Sequence, residues 1–250
     1  MKTLSALVAS AAALVGAASA MPTVVNVDLS SWAAEGQGNW NVAGDNNSVL
    51  QTTNGNPTVF HNGVDSQGVQ LSGTIQVQTT GDDDFIGFVL GYNAGDLNNA
   101  NADYLLIDWK QNNQSFDGGV ARRGLSISRV SGAFVNSIPH RDDFWNHNGV
   151  VTELQRAANL FDTGWNDNQV YNFDLVFTAS RVQVFVDNIL EIDITGTFSD
   201  GAFGFYNYSQ STVRYGALTT QDAPQVPVPA AAFLFVPALA GLALKRRLKK

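Results

Sequence analysis

The sequence contains no cysteine and only three histidines among its 250 residues. Without cysteine the chain can form neither disulfide bonds nor a thiol nucleophile, so its stability must come from a large core or from bound ions. The three histidines, His61, His140 and His147, are far apart and show no H-x₃-H pairing, which argues against a zinc site. A G-x-S-x-G motif is also missing, so the sequence gives no sign of a serine hydrolase of that type.

Basic residues are scarce over most of the chain. The sequence has 14 Lys and Arg and 22 Asp and Glu, but six of the basic residues lie at the two ends, which leaves 8 for the segment 21–223. A segment this acidic is unsuited to nucleic acid, whose phosphates require Lys and Arg, and suits an exported protein or a cation binder. Only three of the acids are Glu, and the rest are Asp, a hard oxygen ligand for calcium.

The first 20 residues have the pattern of a secretory signal peptide. Lys2 supplies the positive start, an apolar stretch spans 4–15, and small residues precede a predicted cleavage after Ala20. We therefore predict a signal helix over 1–20 and a single mature domain over 21–223, which is long enough to bury one core.

The composition changes again near the C-terminus. A Pro-rich linker over 224–229 is followed by an uncharged, mostly apolar run and then by the basic end of the chain. We predict a hydrophobic helix and basic tail over 230–250. A simple tail anchor is one interpretation, although the apolar run is short compared with the ~20 residues that a span needs.

These three elements in this order resemble the PEP-CTERM sorting signal of Gram-negative bacteria. Pro227, Val228 and Pro229 stand at the proline motif, with Val228 where the family's name implies Glu, and Arg246 and Arg247 lie in the basic cluster. The resemblance implies an exosortase-type membrane transpeptidase as partner. It also implies transient inner-membrane anchoring through the helix, followed by delivery to the cell surface or extracellular matrix.

Between the termini, apolar and polar residues alternate as they do in β-strands. The segments are GTIQVQT, FIGFVLGY, YLLIDWK, GLSISRV, YNFDLVFT, RVQVFVDN, LEIDITG, AFGFYNYS and TVRYGAL. We predict about nine or more strands, a tight turn at Asp187 and Asn188, and one short helix over 152–159. This spacing is typical of an all-β sandwich or jelly roll.

The stretch GDDDFIGFVLGY places three like charges next to a strand. Asp82, Asp83 and Asp84 could cap a solvated turn, hold calcium, or form a catalytic pair. Calcium takes 6–8 oxygen ligands from carboxylates and carbonyls, and it would also cancel the repulsion among the three charges. A catalytic pair would need an apolar pocket that separates the two pKa values.

The order of motifs around this triplet resembles the C-terminal domain of thrombospondins over roughly Thr58–Leu218. The strongest similarities are Asp82–Asp84 with the following strand, Trp109–Gln111, Gly164–Trp165 and Phe205–Gln210. The resemblance implies a concanavalin A/L-type-lectin-like β-sandwich that binds calcium and serves adhesion or matrix interaction. The chain lacks the family's Asp-rich repeats and cysteine, so only sites within the jelly roll carry over.

The calcium ligands are predicted first among the consecutive acids and then in neighbouring loops. The candidates are Asp82, Asp83, Asp84, Asp65, Asn62 and Asp28. The last three are chosen because their loops are expected to lie near the acidic triplet.

The function predicted is that of an exported, non-enzymatic surface or matrix protein that binds calcium and mediates adhesion or contacts glycans. The alternatives are a glycan-degrading enzyme on the same fold and a purely structural exopolysaccharide-associated protein.

Other residues bear on these alternatives. Glu191 and Asp193 are two apart, so on a regular strand both would point to one face. A retaining glucanase strand would need a further Glu at Gly196 as its acid.

Arg122 and Arg123 form a basic pair on a Gly-rich turn, where surface Asp or an anion could bind. Trp109 and Trp165 are predicted core residues, whereas Trp32 and Trp145 are expected to be freer to stack on a sugar.

Overall fold

The computed structural model describes residues 22–116, 119–137 and 143–224, which form two stacked antiparallel sheets with the core between them. The eight-stranded sheet contains β1 (Val25–Asn26), β3 (Trp40–Val42), β4 (Val49–Gln51), β6 (Val69–Val77), β13 (Tyr171–Phe177), β14 (Arg181–Val186), β15 (Ile189–Thr195) and β17 (Val213–Asp222). Its order is β15-β14-β13-β6-β17-β4-β3, with β1 paired to β17.

The seven-stranded sheet has the order β12-β11-β8-β7-β16-β5-β2. Its strands are β2 (Ala33–Gly36), β5 (Thr58–His61), β7 (Phe85–Tyr92), β8 (Tyr104–Lys110), β11 (Gly124–Val130), β12 (Val151–Arg156) and β16 (Ala202–Tyr208). A small hairpin joins β9 (Gln114–Phe116) to β10 (Gly119–Ala121). The only α-helix in the described ranges is α1 (Asp143–Asn146), and 3₁₀ turns lie at Leu29–Ser31, Asp96–Asn98 and Leu160–Asp162. The predicted all-β sandwich is thereby confirmed.

Alternation along the strands places one set of side chains between the sheets and the other on the outer faces. On β8, Leu105, Ile107 and Trp109 are in the central core, while Asp108 and Lys110 point to the opposite side of the seven-stranded sheet. That opposite side carries a second apolar cluster, which includes Phe144, Trp145 and Tyr206 and is covered by the segment around α1. The seven-stranded sheet is therefore buried on both faces, which explains why β7, β8 and β16 are almost uniformly buried.

The turn predicted at Asp187 and Asn188 is present. Both residues have positive φ, 49° and 65°, as a two-residue type I′ hairpin requires. The helix predicted over 152–159 is wrong, because β12 occupies most of this range and pairs with β11 from Val151 to Arg156. Pairing with β11 overrides the helical tendency of the Glu, Leu, Gln and Arg residues in this segment.

The terminal predictions lie outside the described residues. This holds for the signal helix over 1–20, for the hydrophobic helix over 230–250, and for the sorting-motif residues Pro227, Val228, Pro229, Arg246 and Arg247. In the part of the chain that is described, no helix has the length and apolarity to cross a membrane.

Candidate calcium and glycan site

Asp82, Asp83 and Asp84 immediately precede β7 at one end of the seven-stranded sheet. One carboxylate oxygen from each lies within 4.8 Å of the others, and no other group of three or more potential His, Asp or Glu ligands occurs in the described ranges. Asp84 is buried, whereas Asp82 and Asp83 are partly exposed. Three like charges so close together require compensation, which comes from groups that the strand order brings to this corner.

Lys110, the last residue of β8, supplies one positive charge. Its Nζ lies 2.7 Å from Oδ1 of Asp84 and 3.0 Å from Oδ1 of Asp83, and the side chain is fully buried. It also donates to the backbone oxygen of Asp83 at 2.8 Å and to Oε1 of Gln114 at 2.8 Å. The ammonium lies 5.2 Å from the ring centroid of Trp145, close enough for a cation–π contact.

The buried Asp84 is held through its backbone as well. Its N–H donates to Oε1 of Gln210 at 2.9 Å, and its carbonyl accepts from Nε1 of Trp165 at 3.2 Å. Burial raises the pKa of Asp84 to about 6, while Lys110 opposes this rise and the neighbouring Asp82 adds to it. Lys110 therefore compensates only part of the charge, since with all three acids ionised the corner keeps two negative charges.

Asp82 is the carboxylate that Lys110 does not reach. Its Oδ2 accepts a hydrogen bond from Nδ2 of Asn54, and its Oδ1 accepts from the backbone N–H of Asp83 at 3.2 Å. No ion pair to Asp82 occurs among the described residues. Asp82 also has φ 119°, a backbone conformation that residues other than glycine seldom adopt. A carboxylate held only by neutral donors in this way remains available to a cation.

A cleft of about 290 Å³ opens beside the acidic group. Its lining combines amide side chains with aromatic rings: Gln37, Asn54, Gly55, Asn56, Gln114, Phe116, Trp145, Tyr208 and Ser209. Two of these residues connect it to the acids, because Asn54 donates to Asp82 and Gln114 accepts from Lys110. Amide groups beside aromatic faces are a combination suited to binding a sugar ring and its hydroxyls.

The structure does not bring the other three predicted ligands to this group. Asp84 precedes Phe85, which pairs with Tyr208 at one end of β16. The loop with Asn62 and Asp65 lies at the other end of β16, since the N–H of Asn62 donates to the carbonyl of Phe203. Five residues of strand separate those ends, roughly 17 Å. Asn62 instead donates to Ser66 at 3.2 Å, and Asp65 is exposed.

Asp28 has a local role at the edge of the other sheet. Its carboxylate accepts from the N–H of Ser30 at 2.9 Å and caps the 3₁₀ turn Leu29–Ser31. Hydrogen bonding from the Ser30 side chain, and second from this backbone N–H, lowers the pKa of Asp28. Within the described ranges the predicted ligand set is therefore brought together only at Asp82, Asp83 and Asp84.

Glu191 and Asp193 do not face each other as a carboxylate pair. A β-bulge between β14 and β15 leaves Glu191 as the unpaired extra residue, because Val184 is opposite Ile192 and Phe185 is opposite Leu190. The Glu191 carboxylate accepts from the N–H groups of Asn159 and Leu160. Asp193 forms a bidentate pair with Arg181. Both acids have structural partners, and the arrangement offers no two-carboxylate centre at this strand.

The tryptophans divide differently from the prediction. Trp165 and Trp109 are core residues as expected. Trp32 and Trp145 are not free: Trp32 stacks on Phe205 with ring centroids 5.1 Å apart, and Trp145 is 3% exposed, with Nε1 donating to the carbonyl of Gln114. Trp145 contributes to the cleft wall from a buried position.

A second charge network, which extends from the buried Asp108 to the exposed Glu153, lies on the same face of the seven-stranded sheet. His147, which follows α1, places Nε2 2.9 Å from Oδ2 of Asp108 and Nδ1 3.5 Å from Oε2 of Glu153. Ser126 donates to Asp108, and Arg156 donates to Glu153. Burial disfavours the imidazolium, but Asp108 and Glu153 outweigh it and raise the pKa of His147 to about 9. This network ties the segment after α1 to β8 and β12.

Sequence reasoning missed Lys110 and Asn54 as parts of the site. A signal for Lys110 exists, since it shares the outward-facing side of β8 with Asp108 and ends an otherwise apolar strand. Asn54 lies in an Asn- and Gly-rich loop, which marks a turn but not its distant partner.

The fold and the site define a lectin-like β-sandwich with an acidic corner beside a polar and aromatic cleft. The family described as "Thrombospondin C-terminal region" matches residues 35–223, and the chain belongs to this family. Thrombospondin-3b of Danio rerio is 25% identical over 205 residues, a match that covers 76% of this chain and 21% of the relative. The chain thus spans about a fifth of the length of that curated relative.

Solved structures with a similar fold include a carbohydrate-binding module. The module CBM66 of Bacillus subtilis superposes with a TM-score of 0.55 at 12% identity, covering 77% of this chain and 96% of the module. The exoplasmic/lumenal domain of VIP36 in its Ca²⁺/Man-bound form has a TM-score of 0.50 at 17% identity, with 80% and 85% covered. At these identities the likeness shows the fold alone.

Proposed function

We propose that the chain is a calcium-dependent glycan-binding protein of the cell surface or extracellular matrix, which acts by binding and not by catalysis. The observation that carries this proposal is the negative charge that Lys110 leaves uncompensated at Asp82, Asp83 and Asp84, directly beside a cleft of amide and aromatic side chains. A divalent cation matches the two negative charges that remain after Lys110 is counted.

The donor set suits calcium better than a transition metal. It consists of carboxylate oxygens, with no cysteine in the chain, and the amide oxygens of nearby Asn and Gln are ligands of the same hard type. Asp82 would be the principal ligand, because Lys110 does not engage it. Asp83 and Asp84 would contribute the oxygens that Lys110 leaves free.

Calcium would also organise the glycan cleft. Asn54 donates to Asp82 and accepts from the hydroxyl of Ser209, so an ion that fixes Asp82 also fixes the Asn54 side chain at the cleft wall. This coupling predicts that glycan affinity falls when calcium is removed. The existence of carbohydrate-binding proteins with the same fold, among them CBM66 and the mannose-bound VIP36 domain, supports the glycan assignment.

The termini supply the proposed route to the surface. We propose that residues 1–20 direct export and that the Pro-rich linker, apolar run and basic end over 224–250 are a PEP-CTERM-type signal recognised by an exosortase-type enzyme. The domain over 21–223 would then act outside the cell in adhesion or matrix contact, which agrees with its membership of a thrombospondin domain family.

Glycan-array binding in calcium and in excess chelator tests this function. We expect binding to some glycans in calcium, loss in chelator, and loss in an Asn56→Ala variant, since Asn56 lines the cleft. Asn98→Ala, an exposed asparagine after β7, is the matched control and should bind normally. Arrays that stay blank with calcium present would contradict glycan binding and favour a purely structural matrix protein.

A further inference from the structure

A second cleft, distinct from the acidic corner, concentrates the scarce positive charge of the domain. It has a volume of about 290 Å³ and is lined by Asn113, Val120, Arg122, Arg123, Arg156, Phe161 and Asp162. Three of the 8 basic residues in segment 21–223 therefore line one cleft. Asp162 is the single acid in its lining, so this cleft is locally cationic on a strongly acidic chain.

Two of the three arginines are held in place by the protein. Arg123 forms a bidentate pair with Asp162, at 3.2 and 3.0 Å, and its backbone N–H donates to Oδ1 of Asn113. Arg156 donates to Glu153 and to the backbone carbonyls of Phe161 and Arg123. Both guanidinium groups are therefore already bound to partners within the protein.

Arg122 is the arginine without such contacts. It is exposed, and none of the ion pairs or hydrogen bonds among the described residues involves its guanidinium, although 22 acidic residues are present in the chain. Asn113 also lines this cleft, and its amide nitrogen, unlike the oxygen that accepts from Arg123, has no hydrogen-bond partner among the described residues. A guanidinium beside a second donor matches the geometry of a carboxylate or sulfate group.

The cleft also carries an aromatic platform. Phe161 is 57% exposed, and the guanidinium of Arg156 lies 5.6 Å from its ring centroid. The part of the Phe161 ring that Arg156 does not cover is open to solvent, and a sugar ring can stack there. Val120, which is 50% exposed, extends this apolar surface next to Arg122.

We infer that this cleft is a binding site for an acidic sugar residue, whose anionic group pairs with Arg122 while its ring stacks on Phe161. None of the residues that line this cleft belongs to the calcium site, so binding here would not require calcium. The shared chemistry is an anionic group on a pyranose ring, carried either as a hexuronate carboxylate or as a sulfate ester. The surrounding acidic surface would repel an anionic polymer elsewhere and so restrict it to this cleft.

Calorimetric titration of the full chain, in excess chelator, tests the inference. The probes are a galacturonic acid tetramer, a sulfated galactose tetramer, and a neutral galactose tetramer of equal length. We expect at least one acidic probe to bind at least tenfold more tightly than the neutral one, and to weaken as salt rises from low to physiological concentration. Which acidic probe binds distinguishes the carboxylate from the sulfate.

Three variants assign the binding to this cleft. Arg122→Gln should weaken it at least fivefold without a change in thermal midpoint, because Arg122 has no described partner to lose. Asp162→Asn should tighten it severalfold by releasing Arg123, which a folding defect cannot imitate. Arg214→Gln, an arginine on β17 that donates to Gln78, should have no effect. Equal affinity for acidic and neutral probes, or unchanged binding by Arg122→Gln, would overturn the inference.

Discussion

Lys110 Nζ lies 2.7 Å from Oδ1 of Asp84, and both side chains are buried where the end of β8 meets the residue before β7. This pair answers the electrostatic problem posed by three consecutive acids before β7. It compensates Asp84 and part of Asp83, and it leaves Asp82 to a neutral amide donor. The balance of charge at the corner therefore depends on one lysine and, in our proposal, on one calcium ion.

Replacement of Lys110 by Met should destabilise the domain strongly. Removing one partner of a buried ion pair costs about 3–5 kcal/mol, because the remaining charge is left buried and unpaired. Urea unfolding in chelator measures this change. The double variant Lys110→Met/Asp84→Asn should recover part of the loss, and calcium should stabilise the single variant more than the parent. A loss below about 1 kcal/mol would show that the lysine is not needed for charge balance.

The stabilisation by calcium should depend on pH through Asp84. Burial raises the pKa of this carboxyl to about 6, so the folded, metal-free domain holds the proton more tightly than the unfolded chain does. Protonation of Asp84 therefore stabilises the folded domain fully at pH values below the ordinary pKa of aspartate. This stabilisation is lost as the pH rises through about 6, the pKa of Asp84 in the folded domain. Calcium requires the ionised form, so the calcium-induced rise in Tm should be full at pH 7.5 and much reduced at pH 5. An equal rise at both values would exclude Asp84 as a ligand.

His147 should make the domain less stable at high pH. Burial disfavours its charged form, but Asp108 and Glu153 raise its pKa to about 9, above the ordinary value of the unfolded chain. Its stabilising contribution is therefore complete below about pH 6.5 and is lost as pH rises through 9. Thermal unfolding from pH 6 to 9.5 should show a decline in Tm that His147→Gln largely removes. If the parent and the variant decline in parallel, the His147 network does not set this dependence.

Glu191 and Asp193 should differ in their effect on stability. Glu191→Ala removes the buried carboxylate that accepts two part-buried hydrogen bonds, from the N–H groups of Asn159 and Leu160, at a cost of about 1–3 kcal/mol. Glu191→Gln keeps an acceptor oxygen and should cost less. Asp193→Ala breaks a partly exposed pair with Arg181 and should cost less than about 1 kcal/mol. Urea midpoints compare the three, and equal losses for the two alanine variants would contradict the capping role of Glu191.

The strands rich in apolar, β-branched and aromatic residues could be predicted from the sequence alone. FIGFVLGY, YLLIDWK and GLSISRV match β7, β8 and β11 residue for residue. Local side-chain pattern determines such strands, because each must bury one face or both. The segment AAEG, which forms β2, has little intrinsic strand tendency and exists through its pairing with β5.

The composition of the site depended on contacts that local pattern does not encode. The acidic triplet is visible in the sequence, but Lys110 reaches it from 26 residues away through the pairing of β7 and β8. The sequence predicts Asn62 and Asp65 near the triplet because they precede it by one strand. The strand order instead places their loop at the opposite end of the seven-stranded sheet. Proximity between loops requires the register, which only the folded structure provides.

Calorimetric titration of calcium into the chain tests the central claim most directly, with Asp82→Asn beside the parent and Asp28→Asn as a matched control. We expect the parent and Asp28→Asn to bind calcium at this corner. Asp82→Asn should lose at least tenfold in affinity, because Asp82 is the carboxylate that Lys110 leaves free. Identical calcium isotherms for the parent and Asp82→Asn, or no binding by the parent, would contradict a calcium site at Asp82, Asp83 and Asp84.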